Sequence, residues 1–307
     1  MNKQDKTKTD LLHQRIATFN RESLAPKEAV LHATKDMEHR FSEELRKRYK
    51  ELRETGESLR KIYAPLAEIV SRDKDAVAEQ RKLRERLSQQ LKHKPAPPKV
   101  PPAHSIMKPG SIFTLVAPPY DHAWQWVDPN NTGRADAGAD MYNGNLGGDA
   151  WSDEGPDPSG YGQAAAGFGI GFHPMSEVFL TINYQLAYNV SWYENSNVDT
   201  AHTNGSSQIL IYQYDLNWTF QQTLANSSVP IWSDGTSWFE THSGGTSATE
   251  TFNPPWWELI MSPNNNYLIW FIGRWEADGA GDPNGPFNSQ ARCWLGANLP
   301  FVVLEQS

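Results

Sequence analysis

The chain has 307 residues, a formal net charge of −8 and a single cysteine. That length accommodates a helical module and a β domain of about 200 residues, and the lone Cys293 excludes an intramolecular disulfide framework. Charge is divided unevenly: residues 1–100 carry 24 basic and 16 acidic side chains, whereas residues 101–307 carry 4 and 20. The acidic part should repel nucleic acid and anionic membranes, because phosphate contacts dominate such binding. No apolar run approaches the roughly 20 residues that span a bilayer, which excludes insertion by a helix.

In chain order, the first segment reads as a short amphipathic helix with Leu12, Ile16 and Phe19 on one side. A second helix is expected from Pro26, whose missing N–H is harmless in a first turn. Leu45, Leu52, Leu59 and Leu66 then recur every seven residues, with Ile62, Ile69, Ala76 and Leu83 three positions later in the repeat. Tyr49, Tyr63, Val70 and Val77 widen this stripe beyond a two-stranded seam, so self-association through residues 27–93 is expected, as a homotrimer. Gly56 and Pro65 interrupt the rod, and a kink is expected near Tyr63. The basic run Arg81–Arg86 reads as a solvated face. Residues 94–110 begin with Lys94-Pro-Ala-Pro-Pro-Lys-Val-Pro-Pro102, an extended polyproline linker.

All 12 tryptophans follow that linker. From Val178 to Trp192 the residues Val178, Leu180, Ile182, Tyr184, Leu186, Tyr188, Val190 and Trp192 alternate with Thr181, Asn183, Gln185, Asn189 and Ser191. Period 2 predicts a strand with one buried and one wet face, bent or bulged near Ala187. Further strands are predicted at 112–116, 164–172, 208–216, 249–252, 256–261, 267–275, 291–295 and 301–304. Turns are expected at Asn204-Gly205, Asp234-Gly235 and 278–286. No helical periodicity interrupts them.

Two constellations stand out. Trp232, Trp238, Trp256 and Trp257 lie in stretches that read as loops, where exposed indoles can stack on sugar faces. Trp192, Trp270, Trp275 and Trp294 lie within strands and are expected in the core or half in it. Asp128, Asn130, Asp136 and Asp140, with Gly133, echo a calcium loop, although position 12 is Ala139 rather than glutamate and no helices flank it. The competing expectation is an acidic loop whose side chains only make turns. No nucleophile elbow, zinc-protease signature or phosphate loop occurs, and the histidines are scattered, so no enzyme is expected.

The reading is α + β in two modules: a helical oligomerisation stalk (1–93), a Pro-rich linker (94–110) and an antiparallel, jelly-roll-like β-sandwich head (111–307). This layout resembles trimeric fibre tips and the heads of C1q- or tumour-necrosis-factor-like proteins, without a motif of either. It implies a multivalent binding protein whose head recognises glycan or protein surfaces. The alternatives are a structural subunit of a filament or injection apparatus, and a glycoside-active enzyme on the same scaffold. The charged first ten residues lack an apolar signal segment, so a cytoplasmic, virion-associated or non-classically exported protein is expected.

Overall fold

The structure, a computed structural model, describes residues 30–43 except 32, positions 47, 65, 72, 74, 75, 78 and 82, and residues 112–306 except 130, 153–159, 197–199, 238–239, 253–258 and 280–288. Among the described residues thirteen strands follow one another: β1 (Ile112–Val116), β2 (His122–Val127), β3 (Arg134–Ala135), β4 (Gly138–Asp140), β5 (Asn145–Trp151), β6 (Tyr161–Phe172), β7 (Val178–Asn195), β8 (Thr200–Asp215), β9 (Phe220–Ser237), β10 (Thr241–Phe252), β11 (Leu259–Met261), β12 (Asn265–Gly279) and β13 (Gln290–Gln306). All their pairings are antiparallel. Sheet A runs β10-β7-β13-β5-β3, with β1 on β13, β11 on β7 and β4 on β5; sheet B runs β2-β6-β12-β8-β9. The two sheets make an antiparallel β-sandwich.

The expected alternation of β7 sets the core. Its row from Val178 to Val190 is buried, and it meets Ile209 and Ile211 of β8, Phe271 and Trp275 of β12, and Phe168 and Ile170 of β6 between the sheets. Two expectations shift. The bulge opposite Ala187 lies on the partner strand, between Asn298 and Phe301 of β13, where Pro300 has no N–H to pair. The face expected to be wet is buried at Gln185 and Asn189.

Sequence turn signals misplaced several boundaries. Asn204-Gly205 lies within β8 and Asp234-Gly235 within β9. Among the described residues β9 pairs with β8 alone, so this edge strand tolerates Pro230, and register shifts absorb its irregularities. The acidic stretch after Asp128 holds β3, β4 and β5 rather than one long loop.

A second apolar cluster lies outside the sandwich. Residues 30–43 form a helix, α1, whose Ala33, Met37 and Phe41 recur every four residues and are buried. They pack on Trp124, Trp126, Leu210, Tyr212, Tyr214, Leu268, Trp270 and Ile272, the outer face of sheet B. Phe41 lies 5.5 Å from the ring of Trp126 and beneath the Arg274 guanidinium at 5.2 Å. Polar bonds fix the rim: Tyr212 Oη donates to Asp36 Oδ2 at 3.0 Å, and Arg40 donates to Thr223 Oγ1 at 3.2 Å. The start of the expected stalk thus covers the head of its own chain. The heptad row Leu45–Leu83 and the linker lie outside the described residues.

Candidate functional site

With sheet B covered by α1, the open concavity described is on the outer face of sheet A. A cross-strand row of small residues crosses that face, Gly138 of β4 opposite Gly147 of β5, then Gly296 of β13, Asn189 of β7 and Ser247 of β10. Gly147 has φ of 154°, and a Cβ there would overlap the Leu295 carbonyl, so only glycine serves. Where the row is glycine, at 138, 147 and 296, a groove of about 410 Å³ remains, lined by Asp136, Gly138, Asn145, Gly147, Trp294 and Gly296 among others.

Trp294 is the large apolar element of this groove. Its neighbours Cys293 and Leu295 point into the core, so the indole points outward and is half-buried. It lies over Gly296, where a Cβ would overlap the ring. Asp136 borders the groove, its Oδ1 accepting from Asp149 N at 2.8 Å, and Asn298 Nδ2 donates to Asn145 Oδ1 at 2.8 Å. The result is a flat apolar ring beside pinned amides and a carboxylate, an arrangement that offers stacking and directional hydrogen bonds to a polyhydroxylated ring. One row away on the same face, Trp151 is enclosed between cations: the guanidinium carbons of Arg292 and Arg134 lie 4.3 and 5.5 Å from its ring.

The residues expected at the site are arranged differently. Trp232 lies inside β9 and is buried in the core, its Nε1 donating to Thr203 Oγ1 at 3.3 Å and its ring over Gly205. The surrounding Pro230 and Asp234-Gly235 read as a loop because an edge strand tolerates residues that a central strand rejects. Trp238, Trp256 and Trp257 lie outside the described residues. Trp294, expected in the core or half in it, is half-buried and lines the groove. The sequence does carry the signal: Arg292, Trp294, Gly296 and Asn298 alternate with Cys293, Leu295 and Ala297.

The expected calcium set does not converge. Asp128 is buried at the end of β2, Asp136 is bonded to β5, and Asp140 accepts from Tyr142 N at 3.0 Å and Asn143 Nδ2 at 2.6 Å in a local turn. Asn130 lies outside the described residues. Among the described residues Asp128, Asp136 and Asp140 form no group within ligand distance, because the β3–β5 strands hold them apart.

No protein-family model matches the sequence, and no curated protein matches it. Among solved structures, the chain is similar to TmCBM61, solved in complex with β-1,4-galactotriose, at 11% identity over 60% of this chain and 88% of that one, with a TM-score of 0.21. It is similar to the tandem CBM22 modules of Paenibacillus barcinonensis Xyn10C at 7% identity, over 60% and 46%, with a TM-score of 0.21. A structure of infectious bursal disease virus matches at 8% identity, over 68% and 40%, with a TM-score of 0.18. The chain spans under half of the latter two. Likenesses at these scores carry no argument; the sandwich rests on its own strand register.

Proposed function

We propose that this chain is a glycan-binding β-sandwich protein whose binding surface is the groove on sheet A. The observation that carries the reading is Trp294, a half-buried indole whose ring lies over Gly296 in a groove bordered by Asp136 and Asn145. An indole supplies apolar contact to the faces of sugar C–H groups, and the amides and carboxylate supply hydrogen bonds that select hydroxyl directions. Binding rather than hydrolysis fits the groove, because its described lining holds one carboxylate and glycoside hydrolysis uses two that face each other.

The test is a glycan array followed by calorimetry on the best binders. Trp294→Ala should weaken binding at least tenfold, with no hydrolysis of the same glycans by the native chain. Unchanged affinity in that variant would refute the groove, and product formation would move the reading to an enzyme. Self-association through residues 27–93, with the avidity it brings, is part of the same proposal, and sedimentation of the intact chain tests it.

One observation favours the structural-subunit reading. Phe179 of β7 and Ile260 of β11 are opposite each other on the outer face of sheet A, 47% and 58% exposed. If they form a protein contact, replacing both by serine should lower the sedimentation coefficient of the assembly while glycan affinity stays the same.

A further inference from the structure

The row of side chains that β7 sends into the sandwich does not end in an apolar residue. Two positions beyond Trp192, on the same side of the strand, stands Glu194, fully buried. Its cross-strand partner on β10 is His242. Asp234 reaches the pair from β9, the edge strand of the other sheet. One donor atom from each of the three lies within 4.8 Å of the other two. His242 Nδ1 is 3.4 Å from Asp234 Oδ1, about the edge of a tetrahedron whose bonds to a central cation are roughly 2.1 Å.

Neighbouring groups hold the carboxylates in place. Thr203 Oγ1 donates to Glu194 Oε1 at 2.7 Å, Trp192 Nε1 donates to Asp234 Oδ2 at 2.7 Å, and Gly235 N donates to Asp234 Oδ1 at 2.8 Å. Glu194 Oε2 is left buried with no hydrogen-bond partner, an arrangement that proteins rarely leave uncompensated. The cluster thus leaves one buried carboxylate oxygen without a partner beside a second carboxylate and an imidazole nitrogen, and a cation between them would supply that partner.

We propose that Glu194, Asp234 and His242 form a divalent transition-metal site of the zinc or manganese class that clamps sheet A to sheet B at the β9–β10 crossover. An imidazole nitrogen beside two carboxylate oxygens suits these ions, whereas calcium takes six to eight oxygens. The bonds from Thr203 and Trp192 orient the ligating carboxylates. Asp234 and His242 flank the crossover and Glu194 lies in the neighbouring strand, so one ion ties three strands of two sheets. This site is separate from the groove and stands whether or not glycans bind there.

The full chain, stripped with EDTA and dialysed, is titrated with zinc chloride, manganese chloride and calcium chloride by calorimetry and thermal melting. The expected result is one zinc or manganese ion per chain and a melting temperature raised by about 5 °C at a hundredfold excess over Kd. Glu194→Gln keeps the shape and removes the charge, so the metal-free variant should melt no lower than the native chain. It and His242→Ala should each bind zinc at least tenfold more weakly. Histidines elsewhere in the chain can take up zinc unspecifically, so equal uptake and an equal melting shift in the two variants overturn the proposal. Absence of any tightly held ion overturns it as well, and a larger shift with calcium than with zinc overturns the metal class.

Discussion

The two outer faces of this sandwich are treated in opposite ways. The face of sheet B carries Trp124, Trp126, Tyr212, Tyr214 and Trp270, and α1 seals it with Ala33, Met37 and Phe41. The face of sheet A carries glycines along one row with the outward indole of Trp294 beside them, and remains open there as a groove. Aromatic content alone would mark sheet B as the binding surface. Cover argues otherwise: a large apolar patch on an uncovered face is a liability, whereas the Trp294 ring on a glycine floor is tolerable and leaves the proposed groove open.

The largest test breaks the sealed face. Phe41→Ala combined with Met37→Ala removes two fully buried side chains, each costing roughly 2–5 kcal/mol in a packed site. Denaturant unfolding should show a loss of about 5 kcal/mol or, if α1 undocks first, strong binding of a hydrophobic dye to the bared tryptophans. A variant with native stability and no dye binding would show that α1 does not hold that face. The same reasoning bears on the fragment 103–307, which lacks α1 and should bind the dye more strongly than the intact chain.

The next test sets two tryptophans against each other. Trp232→Ala empties a core position and should cost about 3–5 kcal/mol. Trp294→Ala removes a half-buried ring and should cost about 1 kcal/mol or less while weakening glycan binding. Reversed stability losses in chemical denaturation would invert the assignment of core and surface. A milder change acts on the groove floor: Gly296→Ala puts a methyl group where the Trp294 ring lies, so affinity should fall several-fold with little change in melting temperature.

How far the sequence could be read follows from the same contrast. Strands with an unbroken period, 178–192 above all, were legible because one face is wholly apolar. β9 was not, since its burial alternates weakly along an edge and proline, serine and asparagine interrupt it. β5 was hidden by its glycines, which make the groove and also erase the periodic signal. α1 was legible as a helix, but what its stripe covers depends on tertiary contacts that spacing does not encode. A tryptophan inside a strand reads as core or half-core, and for Trp294 the alternation with Cys293 and Leu295 is the sign that selects the half-buried, outward side. Glu194 continues the apolar row of β7 by two residues, and a carboxyl group on that row is the visible mark of a buried polar position.

The smallest expected effect sharpens the comparison within the open face itself. Trp151 and Trp294 both point outward from neighbouring strands, one row apart. The ring of Trp151 is flanked by Arg292 and Arg134, and such cation–π contacts contribute roughly 0.5–1 kcal/mol each at exposed sites. A sugar stacking on Trp151 would have to displace a guanidinium, whereas Trp294 has no ring or cation contact of this kind among the described residues and borders the groove. Trp151→Ala should therefore lower stability by about 1–2 kcal/mol and leave glycan affinity within about twofold of the native value, as expected for a change outside a binding site. Calorimetry on the Trp151→Ala and Trp294→Ala variants with the same glycan decides it. If the loss of Trp151 weakens binding as much as the loss of Trp294, the glycan lies across both rows, and the groove is only one end of a longer surface.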